Sequence, residues 1–205
     1  MKKVITIGTT FLVALTLTAC GNSSSSDSSS SSKDTKNSVK KSEPKNAITM
    51  IKYNSIRVGD PLTGSGGSTE TTVKNMYGEP MSETKTAVPD ANMKATSYTW
   101  SNVGSSLSGA TITAEFLNGK TVGKGYAALS KSTKITDNDY KTIQTGASFT
   151  TVKKQFGTPQ SESIVGGTGT TSAQTLTYLD TSGSKSLSFT FTNNKLMSKT
   201  TNSLN

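Results

Sequence analysis

The sequence predicts an α+β fold: two tandem repeats, each a short helix-loop-helix packed on one face of an antiparallel β-sheet. Three observations predict it. The first is a turn spelled twice. VKNMYGEPMSET begins at Val73 and VKKQFGTPQSES at Val152, sharing Val, Lys, Gly, Pro, Ser and Glu at matching positions. The second is alternation downstream of each turn. Ile112, Ala114 and Phe116 interleave with Thr113 and Glu115, and Leu187, Phe189 and Phe191 with Ser188, Thr190 and Thr192. Period two with one apolar face marks antiparallel strands covered on one side only. The third is the spacing of Phe149, Val152 and Phe156, which fall on one helical face just before the second turn.

The elements follow in order within each repeat. A helical turn around Ile56, or over Tyr140–Ile143, runs to Gly59 or Gly146, whose free φ suits a helix end. A second helix covers Thr71–Met76 in the first repeat and Phe149–Gln155 in the second. Gly78 and Gly157 stop it in a left-handed conformation, and Pro80 and Pro159 cannot continue it. The aromatic before each glycine, Tyr77 or Phe156, plugs the helix end into the core. Asn118-Gly119 and Asn193-Asn194 tolerate positive φ and turn the strands back into Thr121–Lys124 and Leu196–Lys199. The first repeat is longer, chiefly by Thr63–Glu70. The repeats divide as 48–130 and 131–205, and the sequence admits either one continuous sheet or two separate cores.

GDP/GAS before the second helix, YGEP/FGTP at its end and the strand ends FLNGK/FTNNK together resemble the β-lactamase-inhibitor-protein-like fold. That group includes the small SmpA/OmlA lipoproteins, and the chain looks like Gram-positive lipoproteins of this kind. The resemblance spans Ile51 to Leu204. It implies the fold, and by analogy inhibition of a β-lactamase or cell-wall enzyme. Its motifs specify structure, so no inhibitory residue carries over.

Ahead of the repeats, Lys2 and Lys3 precede an apolar stretch from Val4 to Leu17, which ends in LTACG. This is export-signal chemistry, too short to read as a spanning helix. LTACG resembles a lipobox, so residues 1–19 read as a lipoprotein signal peptide and Cys20 as the lipidated residue. Residues 20–47 then form a Ser/Lys-rich tether that buries too little apolar surface to order. As a random coil it reaches about 25–30 Å. The expected location is the extracytoplasmic face of the cell membrane, held by the lipid anchor.

The net charge is +9, of which residues 48–205 carry about +5. Arg57 is the one arginine and no basic cluster exceeds Lys153-Lys154. That argues against nucleic acid as a partner. The chain has no histidine and its one cysteine is Cys20, so Ser-His-Asp and Cys-His catalysis and the common zinc sites are excluded. Ser130-Lys131 and Ser132-x-Lys134 are chance pairings in a chain rich in both residues. Asp137 and Asp139 read as helix caps rather than paired catalytic carboxylates, and Glu79 and Glu83 as solvated. GSGGS (Gly64–Ser68) and GGTGTT (Gly166–Thr171) read as mobile loops, lacking the P-loop lysine. No enzyme activity, cofactor or metal is expected.

What remains is a non-catalytic protein-binding or structural module, its partner in the cell envelope. An inhibitor and a prophage superinfection-exclusion lipoprotein are the alternatives. Tyr98, Trp100 and Tyr178 occupy matching strand positions and are the candidate partner-binding residues, although a place in the core is the preferred reading for them. On that reading the other face of the sheet is rich in hydroxyls, with Thr111, Thr113, Ser188, Thr190 and Thr192.

Overall fold

The computed structural model describes residues 43–44, 46–87, 94–167 and 169–204, and within them two similar series of elements follow one another. The first is α1 (Met50–Ser55), α2 (Glu70–Tyr77), β1 (Ser82–Ala87), β2 (Lys94–Trp100), β3 (Thr111–Leu117) and β4 (Lys120–Ala127). The second is β5 (Lys134–Ile135), α3 (Asp137–Thr142), α4 (Phe149–Phe156), β6 (Ser161–Val165), β7 (Ala173–Asp180), β8 (Lys185–Thr192) and β9 (Lys195–Ser203). The strands form one sheet in the order β1-β2-β3-β4-β6-β7-β8-β9, with β5 parallel to the end of β7. Antiparallel pairing of β4 with β6, Gly123 opposite Val165 and Tyr126 opposite Glu162, makes the sheet continuous.

Helices of six to eight residues do not persist alone in water, so their ends must be satisfied and one face buried. Each starts on a hydroxyl. Thr49, Thr69, Thr136 and Ser148 accept from the backbone N–H of Lys52, Thr72, Asp139 and Thr151. In α3 the cap is therefore Thr136, not Asp137 or Asp139. Asp139 instead accepts from the Thr136 N–H and completes a capping box.

α2 and α4 stop on Gly78 (φ 81°) and Gly157 (φ 77°), the predicted positions. An aromatic from the sheet then seals each end. Trp100 Nε1 donates to the Gly78 carbonyl at 2.9 Å, and the Tyr178 hydroxyl to the Gly157 carbonyl at 3.0 Å.

Gly59 and Gly146 do not end the first helices as expected. α1 and α3 stop at Ile56 (φ −71°) and Ile143 (φ −77°), in extended backbone that any residue adopts. Their last carbonyls are held by a lysine from the sheet. Lys124 Nζ donates to Tyr53 O (2.9 Å) and Ile56 O (2.8 Å); Lys199 Nζ donates to Tyr140 O (2.9 Å) and Ile143 O (2.8 Å). Each ammonium also stands over a ring, Tyr53 at 4.6 Å and Tyr140 at 4.8 Å.

The glycine-rich stretch before α2 is stitched to β4 rather than looped out. Gly59 N donates to Thr121 O and Thr121 N to Ser68 O, both at 2.8 Å. A Cβ on Gly67 would stand 2.3 Å from the Thr121 carbonyl, so only glycine allows this approach. Asp60 pins the turn from inside, its carboxylate accepting from Leu62 N, Thr63 N and Thr63 Oγ.

Both apolar clusters lie on the helix side. One gathers Val73, Tyr77, Trp100, Ile112 and Phe116; the other Phe149, Val152, Phe156, Tyr178, Phe189 and Phe191. Edge-on ring contacts join helix to sheet in each, Tyr77–Trp100 at 5.3 Å and Phe156–Tyr178 at 5.8 Å. At the seam the carboxylate of Glu162, 3% exposed, accepts from the Tyr53 hydroxyl (3.0 Å) and pairs with Lys153. The Tyr126 hydroxyl reaches Pro159 O at 3.3 Å, so both hydroxyl contacts cross between the two series.

Candidate functional site

Strand parity places every large apolar side chain of β2, β3, β7 and β8 except Leu117 and Leu179 on the helix side, and leaves small polar residues opposite. One row of paired residues crosses all eight strands: Ser82, Thr99, Thr113, Gly125, Ser163, Thr175, Thr190 and Ser198. Next to it, Ser161, Thr177, Ser188 and Thr200 form a second row, and Thr177 Oγ1 and Ser188 Oγ lie 3.0 Å apart. The hydroxyl-rich face read from Thr111, Thr113, Ser188, Thr190 and Thr192 thus extends across the whole sheet.

One carboxylate interrupts it. Glu115 projects from β3 on this face, paired with Ser97 on one side and Gly123 on the other. A Cβ on Gly123 would lie 2.8 Å from Glu115 Oε2, so the carboxylate lies against the bare glycine backbone. Among the described residues Glu115 has no hydrogen bond and no ion pair. Burial alone raises its pKa above the usual carboxylate value, with no neighbouring cation to hold the charge. Sequence reading passed over Glu115, since a glutamate on a strand's polar side looks like any solvated residue.

Tyr98, Trp100 and Tyr178 lie on the opposite side. They are 4%, 0% and 0% exposed, packed among core rings. An outward recognition stripe is therefore corrected to a core position. Their sequence parity is that of Ile112 and Leu187, so they turn toward the helices, and Trp100 and Tyr178 seal the helix ends. Only the Tyr98 hydroxyl reaches the rim. It donates to Glu70 Oε1 at 2.7 Å and accepts from Lys74 Nζ at 3.0 Å; its bond to Lys74, and Lys74's own bond to Glu70, raise the Lys74 pKa.

The other candidates are dispersed. Glu79 is exposed, and Glu83 pairs with Lys85 at 2.7 Å. Asp137 pairs with Lys185 at 2.9 Å across an open groove floored by Thr201 and Asn202. No hydrogen bond joins Ser130 to Lys131 or Ser132 to Lys134 among the described residues. Of Gly166–Thr171, the described residues lie between β6 and β7, with Gly166 against Pro61 and Gly167 close to Val58 O. No three His, Cys, Asp or Glu side chains among the described residues gather as metal ligands. Cys20 and residues 1–42 lie outside the described residues.

Helices packed on one side of a mostly antiparallel sheet, with small polar residues prevailing on the other among the described residues, define a β-lactamase-inhibitor-protein-like α+β fold. The solved structure of a candidate β-lactamase inhibitor protein from Streptococcus mutans is similar, with a TM-score of 0.60 and 24% identity over 74% of this chain and 93% of that one. Residues 45–204 match the family described as a domain of unknown function with a solved structure, DUF3862, and the chain belongs to that family. A comparison with curated proteins finds no match.

Proposed function

We propose that the chain is an extracytoplasmic lipoprotein, lipidated on Cys20, whose two tandem α+β repeats (48–130 and 131–205) bind a protein of the cell envelope without catalysis. Residues 1–19 are the export signal and 20–47 the tether in this reading. The continuous hydroxyl-lined sheet face carries it. The helices pack on one side, and a row of small side chains across eight strands faces the other way, a surface another protein can lie against while displacing few large side chains. The turn at Ser130 falls between the two series of elements, which supports the repeat boundary.

The test is capture of envelope proteins by the full chain and by a Ser163→Trp variant, which puts a bulky ring in the middle of the face. A partner retained by the wild type and lost from the variant supports the reading. Equal retention would falsify it. Loss of membrane retention on Cys20→Ala tests the anchor.

Inhibition of a β-lactamase is the second reading, favoured by the likeness to the Streptococcus mutans protein, whose name carries that activity. Nitrocefin hydrolysis by a panel of β-lactamases, with and without the chain, separates the two. Unchanged rates across the panel leave the envelope-binding reading alone.

A further inference from the structure

We propose that Glu115 is the anchor of the open face and takes a single lysine or arginine side chain from the bound protein. This rests on the open face being the binding surface and names the chemistry of its centre. The two series of elements supply an internal comparison. In β8 and β9 a register shift follows Thr190, which pairs with Ser198; in β3 and β4 the equivalent shift follows Glu115, which pairs with Gly123. Where one half keeps two hydroxyls, the other has a carboxylate and a residue with no side chain.

The two exchanges depend on each other. Serine at 123, as at 198, would bring its Cβ to 2.8 Å from Glu115 Oε2. Glycine thus makes the room that the carboxylate occupies, and Gly123 is buried in the result.

The carboxylate has no partner of its own. Of the four ion pairs formed among the described residues, none lies on this face, and Glu162, the more deeply buried acid, already has Lys153 and Tyr53. A half-buried carboxylate without a cation bears a desolvation cost that an incoming ammonium or guanidinium removes. Ser97 and Gly123, the residues paired with it, are uncharged, and neither Lys120 nor Lys195 of this face forms an ion pair with it, so the complementary charge comes from the partner. A lipid headgroup phosphate or an anionic wall polymer would be repelled at this point.

The experiment uses the isotope-labelled full chain in detergent micelles and two probes, the peptides acetyl-Gly-Ser-Arg-Ser-Gly-amide and acetyl-Gly-Ser-Gln-Ser-Gly-amide. The arginine peptide should shift the Glu115 carboxyl and Gly123 amide signals saturably, at an affinity about tenfold above the glutamine peptide. Glu115→Gln should erase that preference, and Gly123→Ser should weaken it by displacing the carboxylate. No shift of these signals, or a preference that survives Glu115→Gln, overturns the proposal.

The same variants in the capture experiment separate the two levels of the argument. Capture lost with Ser163→Trp but retained with Glu115→Gln overturns the anchor and keeps the face. Capture retained with both overturns both.

Discussion

The two halves of the sheet solve one packing problem with different side chains. In the first, an indole closes the C-terminus of α2; in the second, a phenol closes that of α4. Both donate one hydrogen bond to a glycine carbonyl from a rigid ring rooted in the sheet. The geometry needed is a donor at the end of an aromatic, and Trp and Tyr both supply it. The lysines beneath α1 and α3 each hold two helix-end carbonyls and cover one tyrosine ring. Conserved geometry therefore marks what the fold requires. Divergence on the open face, Glu115 with Gly123 against Thr190 with Ser198, falls where the fold requires nothing.

Breaking the helix seals should cost most. Trp100→Ala removes a fully buried indole and its hydrogen bond, and should destabilise by about 3–5 kcal/mol in denaturant titration. Tyr178→Phe keeps the ring and loses only the bond, so about 1 kcal/mol is expected. If Tyr178→Phe costs nothing, the seals are not hydrogen-bond devices.

Next comes the seam. Lys153→Met removes the ion-pair partner of the buried Glu162, and about 3 kcal/mol should be lost near neutral pH.

The lysine beneath α1 gives a pH signature. Burial pulls the Lys124 pKa down from 10.5 to about 8, with Glu162 partly offsetting the shift. Its folded value lies below its unfolded one, so the unfolded chain holds more protons between about pH 8 and 10.5. Stability should therefore rise with pH through the lower part of that window, by about 1 kcal/mol between pH 8 and 9.5. Above that, the buried Tyr53 and Tyr126, whose pKa values burial raises, favour the unfolded state and reverse the trend. Lys124→Met should flatten the rise.

The hairpin turns give a smaller effect of opposite sign. Asn118-Gly119 turns the first half, but Asn193-Asn194 turns the second with both residues at positive φ, 51° and 61°, and Asn194 Oδ1 is buried without a partner. Asn194→Gly should stabilise by about 0.5–1 kcal/mol, read as a shifted denaturation midpoint. Asp137→Asn, in an exposed pair, should change stability by under about 0.5 kcal/mol.

The fold was legible where a single residue type has one physical use. Gly-x-Pro after an amphipathic run can only end a helix, and alternation in β3 and β8 can only cover one face. What escaped notice depends on residues distant in sequence. Lys124 and Lys199 look like ordinary strand lysines until α1 and α3 are folded over them. Gly59 was misread because a glycine near a helix end looks like its stop, whereas a contact with the segment 64–67, invisible in the chain, requires it. The site was least legible. Aromatics draw attention as interface anchors, yet here the core consumed them, and the face was left to serines, threonines and one unremarked glutamate.

In the sheet order, every strand but β5 neighbours the one made just before or after it. Such a chain closes its sheet through short hairpins, and the long-range steps are the joining of β4 to β6 and the docking of β5 beside β7. Local contacts shorten the search, so folding should be fast for so much β-structure. The first half can finish its meander before the second has emerged. A chain emerging N-terminus first would expose few unpaired edges while it waits, and β6, arriving next, finds the edge of β4 already formed as its template.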